Sequence, residues 1–210
     1  MKSLISFIDE GAEEKKLDKL RILIVSKSTD KLFHTAKRIS DEGKKLGHEV
    51  FVVDIDGAFV TYEDDTHRIY NLSEDTGFDI SSNDTIAIIR GSVKIKSSYL
   101  DLLSQLEKIG ICMINSRDTV GICADKYRTY LKLQEYGLTQ PKTSLIVSVE
   151  HKDVAFEKLD TKYPIVMKTL SGSKGVGVLF IESERSYDSL VQLLYHQNPE
   201  VDLIIQEYIK

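Results

Sequence analysis

Cysteine is scarce. Cys112 and Cys123 are the only two, and they form no C-x-x-C pair and no metal-ligand spacing. That excludes a disulfide scaffold and a zinc ribbon, and predicts a pair of reduced, buried thiols of the kind an ordinary cytosolic protein carries. The 5 histidines show no ligand spacing either. Basic charge is not in excess: 28 Lys and Arg stand against 33 Asp and Glu, a net charge of -5. With no local basic patch, nucleic acid is not an expected partner. Long apolar runs are missing too. The opening "MKSLISFIDEGAEEKKLDKL" turns charged too soon for a signal peptide. No stretch is long and apolar enough to span a bilayer. A cytoplasmic location without membrane attachment is expected. Internal repeats and low-complexity tracts are absent.

What is present is an α/β pattern. The 210 residues, 41% of them hydrophobic, suffice for one large or two small domains with a sizeable core. "RILIVSKS" reads as a buried strand, and Leu32, Phe33, Ala36, Ile39 and Leu46 follow at near-helical spacing up to Gly47. "HEVFVVDI" is the next strand, so the unit is βαβ with a right-handed crossover. "AFVTYEDDTHRIYNL" predicts a hairpin turning at Glu63 to Thr66. "DTIAIIRGS" predicts a buried strand, "SYLDLLSQLEKIG" an amphipathic helix and "ICMINS" a last strand. Residues 1–118 are therefore expected to form a small doubly wound parallel sheet. A junction follows, with Ser116 as an N-cap, a break near Cys123, and a helix from Lys126 to Tyr136 ended by Gly137. From Pro141 the order is strand, helix, strand, glycine loop, strand, helix, strand.

The loop lies in "VMKTLSGSKGVGVLF", Val166 to Phe180. Glycines let backbone N–H groups approach an anion closely. No Walker spacing is present, and Phe180 stands where a dinucleotide fingerprint needs its third glycine. The residues after the loop alternate like a strand, so a phosphate would meet a β-hairpin, as under a kinase flap. Lys168 lies in the apolar strand before it, on the face of Val166 and Leu170. A cation there either reaches solvent or meets an anion; the plain alternative is a hairpin turn with solvated lysines. In "LIIQEYI" an apolar strand turns polar at Gln206 and Glu207. Such an edge can read an adenine through its backbone, or it is simply an amphipathic strand end.

"ADKYRTYLKLQEYGLTQPKT", "PIVMKTLSGSKGVGV" and "IIQEYI" stand in that order. The series resembles the ATP-grasp superfamily, most closely the RimK-like glutamate ligases and glutathione synthase-like proteins, over residues 85–210. The N-terminal unit is similar to the pre-ATP-grasp domain of that family. The resemblance implies an α/β chain in which residues 119–210 are the first, flap-bearing α+β subdomain of an ATP-grasp fold. It implies that Lys126 and Lys168 hold the nucleotide phosphates. It makes Gly172, Ser173, Gly175 and Gly177 the flap, and Gln206, Glu207, Tyr208 and Ile209 the adenine hinge. Lys174 takes a variable position. Arg90 and Gly91, at a strand end, would help hold the acceptor. The implied chemistry is ATP-dependent carboxylate–amine ligation through an acylphosphate, with Mg²⁺ compensating phosphate charge. ATP and the amino-acid and carboxylate substrates would be the partners, and a homo-oligomer is compatible.

One departure matters. In the family a further region after the hinge carries the Mg²⁺ carboxylates and an arginine-bearing catalytic surface. These 210 residues stop at Lys210, so no metal ligand and no catalytic residue is assigned within them. As a polypeptide on their own they are expected to bind ATP weakly and not to turn it over. A non-catalytic nucleotide-binding or regulatory module is the alternative, and an interaction protein with a glycine turn is the third reading.

Overall fold

A computed structural model describes residues 19–27, 34–72, 76–90, 96–172 and 175–210. The chain divides into two compact units. Met1–Arg90 with Lys108–Ile114 form the first, and Gly91–Glu107 with Asn115–Lys210 the second.

The first unit is built on a parallel sheet. Strands β1 (Arg21–Ser26), β2 (Glu49–Asp54), β6 (Thr85–Ile89) and β7 (Cys112–Ile114) lie in the order β2-β1-β6-β7. The apolar run of β1 has a simple cause: five of its six residues are buried, so both of its faces are covered. Helix α1 (His34–Lys45) packs Ala36 against Ile22 and Ile24, and it stops as expected at Gly47, whose φ is +86°. Leu46 does not join that packed face. The helix ends one residue earlier and Leu46 is exposed. Leu32 and Phe33 lie outside the described residues.

The expected hairpin is present as β3 (Ala58–Glu63) and β4 (Thr66–Asn71). Asp64 and Asp65 both take positive φ at its turn, 48° and 57°, a twist that matches the flanking strands. A third strand, β5 (Phe78–Ile80), extends this antiparallel sheet. Asn71 ties the small sheet to the large one. Its Oδ1 accepts from Asp54 N and its Nδ2 donates to Val52 O, both at 2.9 Å.

The second unit contains helices α3 (Arg117–Cys123) and α4 (Lys126–Glu135), and most of α2 (Ser97–Ile109) falls with it. Its sheet is fully antiparallel, in the order β10-β9-β11-β8, from β8 (Thr143–Ile146), β9 (Ile165–Thr169), β10 (Val178–Ile181) and β11 (Leu203–Glu207). Alternation decides which side chains meet the core. Ile146, Ile165, Met167, Ile181, Leu203 and Ile205 pack against α5 (Lys152–Leu159) and α6 (Glu184–Gln197) through Leu159, Tyr187, Val191 and Tyr195. Lys152 clamps the two helices together. It pairs with Asp153 and Asp188, and its carbonyl accepts from Tyr187 Oη at 2.7 Å. Burial opposes the Lys152 charge, but the two carboxylates outweigh it and raise its pKa.

The thiols are a correction. Cys112 and Cys123 are exposed, not buried. Cys112 lies on β7, which pairs on one side only, and Cys123 is the last residue of α3. Among the described residues no helix is long and apolar enough to cross a membrane.

Candidate nucleotide site

The face of the antiparallel sheet opposite the helices carries Val166 and Lys168 of β9, Val178 and Phe180 of β10, and Ile204 and Gln206 of β11. Alternation puts them there, and the register sets Lys168 opposite both Val178 and Ile204. This face has one cation, one amide and an apolar surround. Phe180 meets Tyr208 edge-on, with ring centroids 5.0 Å apart, and both remain exposed.

Lys126 is brought to the end of β9 by its position as the first residue of α4. Asp125 caps that helix, accepting from Tyr127 N and Arg128 N at 2.8 Å each. The Lys126 amide donates to Leu170 O at 3.0 Å. Its ammonium donates to Thr169 O at 2.8 Å and Leu170 O at 3.4 Å. Asp125→Ala should therefore loosen the footing of Lys126. We expect a loss of about 1 kcal/mol in a urea titration, the usual value of an N-cap side chain.

The glycine loop joins β9 to β10 as a hairpin, as the alternation after the loop predicted. Thr169 N donates to Gly177 O at 3.0 Å. Gly172, Gly175 and Gly177 take φ of 133°, 78° and 80°, values that side-chain-bearing residues rarely adopt. Gly172 lies beside Lys126: a Cβ there would stand 3.8 Å from the ammonium. Ser173 and Lys174 lie outside the described residues.

Lys126 and Lys168 thus stand at the root of one hairpin. Burial and the neighbouring Lys126 charge both hold the Lys168 pKa below the usual lysine value. Its ammonium donates to Gln206 Oε1. Two cations brought together and met only by neutral oxygens, those of Thr169, Leu170 and Gln206, are set for an anion.

Gln206 and Glu207 are committed to the sheet. Gln206 pairs with Thr143 and Val166, and Glu207 pairs with Ile165 while its amide donates to Lys142 O at 3.0 Å. Glu207 Oε1 also accepts from Lys142 N at 2.8 Å. Tyr208 and Ile209 follow beyond the last paired residue and are exposed. Arg90 belongs to the first unit. It is exposed at the carboxyl end of β6, where its amide donates to Val25 O at 2.8 Å. Gly91 lies outside the described residues. A hollow of about 460 Å³ in the first unit, bounded by Arg21, Glu49, Arg68 and Asp79, has its charges already paired, Arg21 with Asp84 at 3.0 Å and Arg68 with Asp79 at 2.6 Å.

Two residues of the site escaped the sequence reading, Thr143 and Thr169. Asp125 had a readable signal, an acidic residue directly before a helix. Thr143 and Thr169 had none, since their partners are set by strand pairing.

A strand lysine under a glycine hairpin, a second lysine at a helix start and an antiparallel sheet backed by helices define an ATP-grasp fold. Residues 123–210 match the model of the RimK-like ATP-grasp domain. A protein from Methanococcoides burtonii named probable alpha-L-glutamate ligase is 26% identical over 193 residues, 91% of this chain and 60% of the relative. The chain spans about 60% of the length of the curated relatives it matches. Among solved structures, a RimK domain protein ATP-grasp from Sphaerobacter thermophilus superposes with a TM-score of 0.62 at 19% identity, covering 90% of this chain and 64% of that one. D-alanine–D-alanine ligase from Bacillus anthracis complexed with ATP superposes with a TM-score of 0.53 at 18% identity, covering 91% and 59%.

Proposed function

We propose that this protein binds ATP at the Lys126–Lys168 site and serves an ATP-dependent carboxylate–amine ligase that adds glutamate or another amino acid to a protein or small-molecule acceptor. The observation that carries the reading is the pair of ammonium groups at the root of one glycine hairpin, within the segment that matches the RimK-like model. In this reading the two lysines neutralise phosphate oxygens. The hairpin closes over them, and the backbone of Tyr208 and Ile209 lies beyond the ladder, where an adenine edge could use it. The exposed rings of Phe180 and Tyr208 supply apolar surface for the base. The first unit is read as the pre-ATP-grasp domain, with Arg90 toward the acceptor.

Among the described residues no group of three or more His, Cys, Asp or Glu side chains gathers to hold a metal ion. No step is assigned to the metal.

Calorimetric titration with ATP across a pH series tests the reading. Phosphate favours the charged Lys168, whereas the free protein disfavours it. Binding in alkaline solution must then take up a proton. Affinity should be level near neutral pH and fall as pH rises, starting below the pH at which an ordinary lysine deprotonates. An affinity that falls about 10- to 100-fold in Lys168→Ala would agree. Wild-type protein that binds no ATP at any pH would overturn the reading. ATP binding without ADP release, when glutamate and an acceptor are supplied to a chain as long as its relatives, would favour a non-catalytic nucleotide module instead.

A further inference from the structure

We propose that Thr143 is a positioning residue for the phosphate site: it fixes the Gln206 amide so that its oxygen, not its nitrogen, faces Lys168. The proposal rests on the reading of Lys168 as a phosphate ligand.

The inference follows from hydrogen-bond direction. A threonine hydroxyl has one proton to give and lone pairs to receive. Thr143 Oγ1 donates that proton to Pro141 O at 2.9 Å. Toward Gln206 it can therefore only accept, and it does so from Nε2 at 2.7 Å. An amide with its nitrogen fixed on one side must present its oxygen on the other. That oxygen accepts from the Lys168 ammonium. The reversed amide would set a donor against the donor-only ammonium and an acceptor against the hydroxyl, which would have to give up Pro141 to donate to it.

The fold makes the relay rigid. Thr143 and Gln206 are paired residues of β8 and β11, and Lys168 is the diagonal neighbour of Gln206 across the β11–β9 pair. Gln206 is only 8% exposed, so water is poorly placed to replace a lost partner. One ammonium N–H is held by Gln206 and two remain for a phosphate. Lys126 is the charge that acts on Lys168, and with burial it already disfavours the ammonium. Losing the Gln206 oxygen would disfavour it further.

The test needs no nucleotide. Lysine ε-carbon NMR on the ligand-free protein follows the Lys168 titration, its signal identified by loss in Lys168→Arg. Thr143→Val should move the midpoint down by on the order of one to two pH units, the size of one hydrogen bond to a charged group. Thr143→Ser, which keeps the hydroxyl, should titrate as wild type. Gln206→Met provides the same comparison should the valine variant fail to fold, and the double variant should shift no further than either single one. An unchanged midpoint in Thr143→Val or Gln206→Met, or an equal shift in Thr143→Ser, overturns the relay. A separate ATP titration of wild type decides the phosphate reading: no binding would overturn the proposal through that reading, whatever the Lys168 midpoint does.

Discussion

Lys168→Ala should weaken ATP binding about 10- to 100-fold, the value of one charge-assisted contact of roughly 1.5–3 kcal/mol. The fold should survive it. Lys168 lies on the sheet face opposite the helix-packed core, so its loss opens no cavity among Ile165, Met167 and Ile205. Two stability effects oppose each other. Removing the ammonium relieves a charge that burial and Lys126 both disfavour, while Gln206 Oε1 loses its partner. The thermal midpoint should therefore shift by no more than a few degrees. Calorimetry of ATP binding beside a thermal scan checks both halves. A large fall in thermal stability would mean that Lys168 serves the fold. Unchanged affinity in a folded variant would remove it from the site. Lys168→Arg should not restore full affinity, because a planar guanidinium cannot reproduce the three-way donor geometry that meets Gln206 and a phosphate together.

Much of this arrangement was legible in the sequence because local patterns and tertiary structure agree. The run "RILIVS" is apolar because β1 is covered on both faces, and the alternation through β9 and β10 is read directly as the hairpin. The start of α4 at Lys126 and its end before Gly137 follow from Asp125 and Gly137 themselves. The failures have equally local causes. Strand β5 has three residues, too few to show a period. Leu46 continues a helical spacing past the point where the helix stops. Cysteine is among the residue types most often buried, but Cys112 falls on a strand paired on one side only. The polar relay was out of reach for a different reason. Thr143, Lys168 and Gln206 meet because β11 lies between β8 and β9, bringing together residues 63 and 38 positions apart. No window along the chain contains that information. The sequence resemblance singled out Gln206 for its backbone, as part of a hinge, and gave no sign that its side chain engages Lys168.

Gly177→Ala is expected to weaken ATP binding about tenfold or more and to lower the unfolding midpoint by several degrees, because two costs meet at one position. Gly177 has φ of +80°, and an L-residue held in that region costs roughly 1–2 kcal/mol. A Cβ at that position would also stand 2.3 Å from Thr169 Oγ1, closer than atoms can approach. Thr169 cannot yield freely. Its hydroxyl donates to Ser171 O at 2.8 Å, its amide donates to Gly177 O, and its carbonyl accepts from the Lys126 ammonium at 2.8 Å. Pushing Thr169 aside thus disturbs the hairpin root and the phosphate lysine together. Gly175 separates the two costs. Its φ is +78°, yet a Cβ there would meet nothing within 4 Å. Gly175→Ala should show the backbone cost alone. Adding Thr169→Ala to Gly177→Ala should recover part of the lost affinity, since it removes the 2.3 Å overlap and leaves only contacts at 3.4 Å or more. ATP titrations of the four variants, with Thr169→Ala alone as the reference for the double variant, give the comparison. Equal losses in Gly175→Ala and Gly177→Ala would show that the hairpin responds to backbone freedom only, and that the close approach to Thr169 has no part in holding the nucleotide.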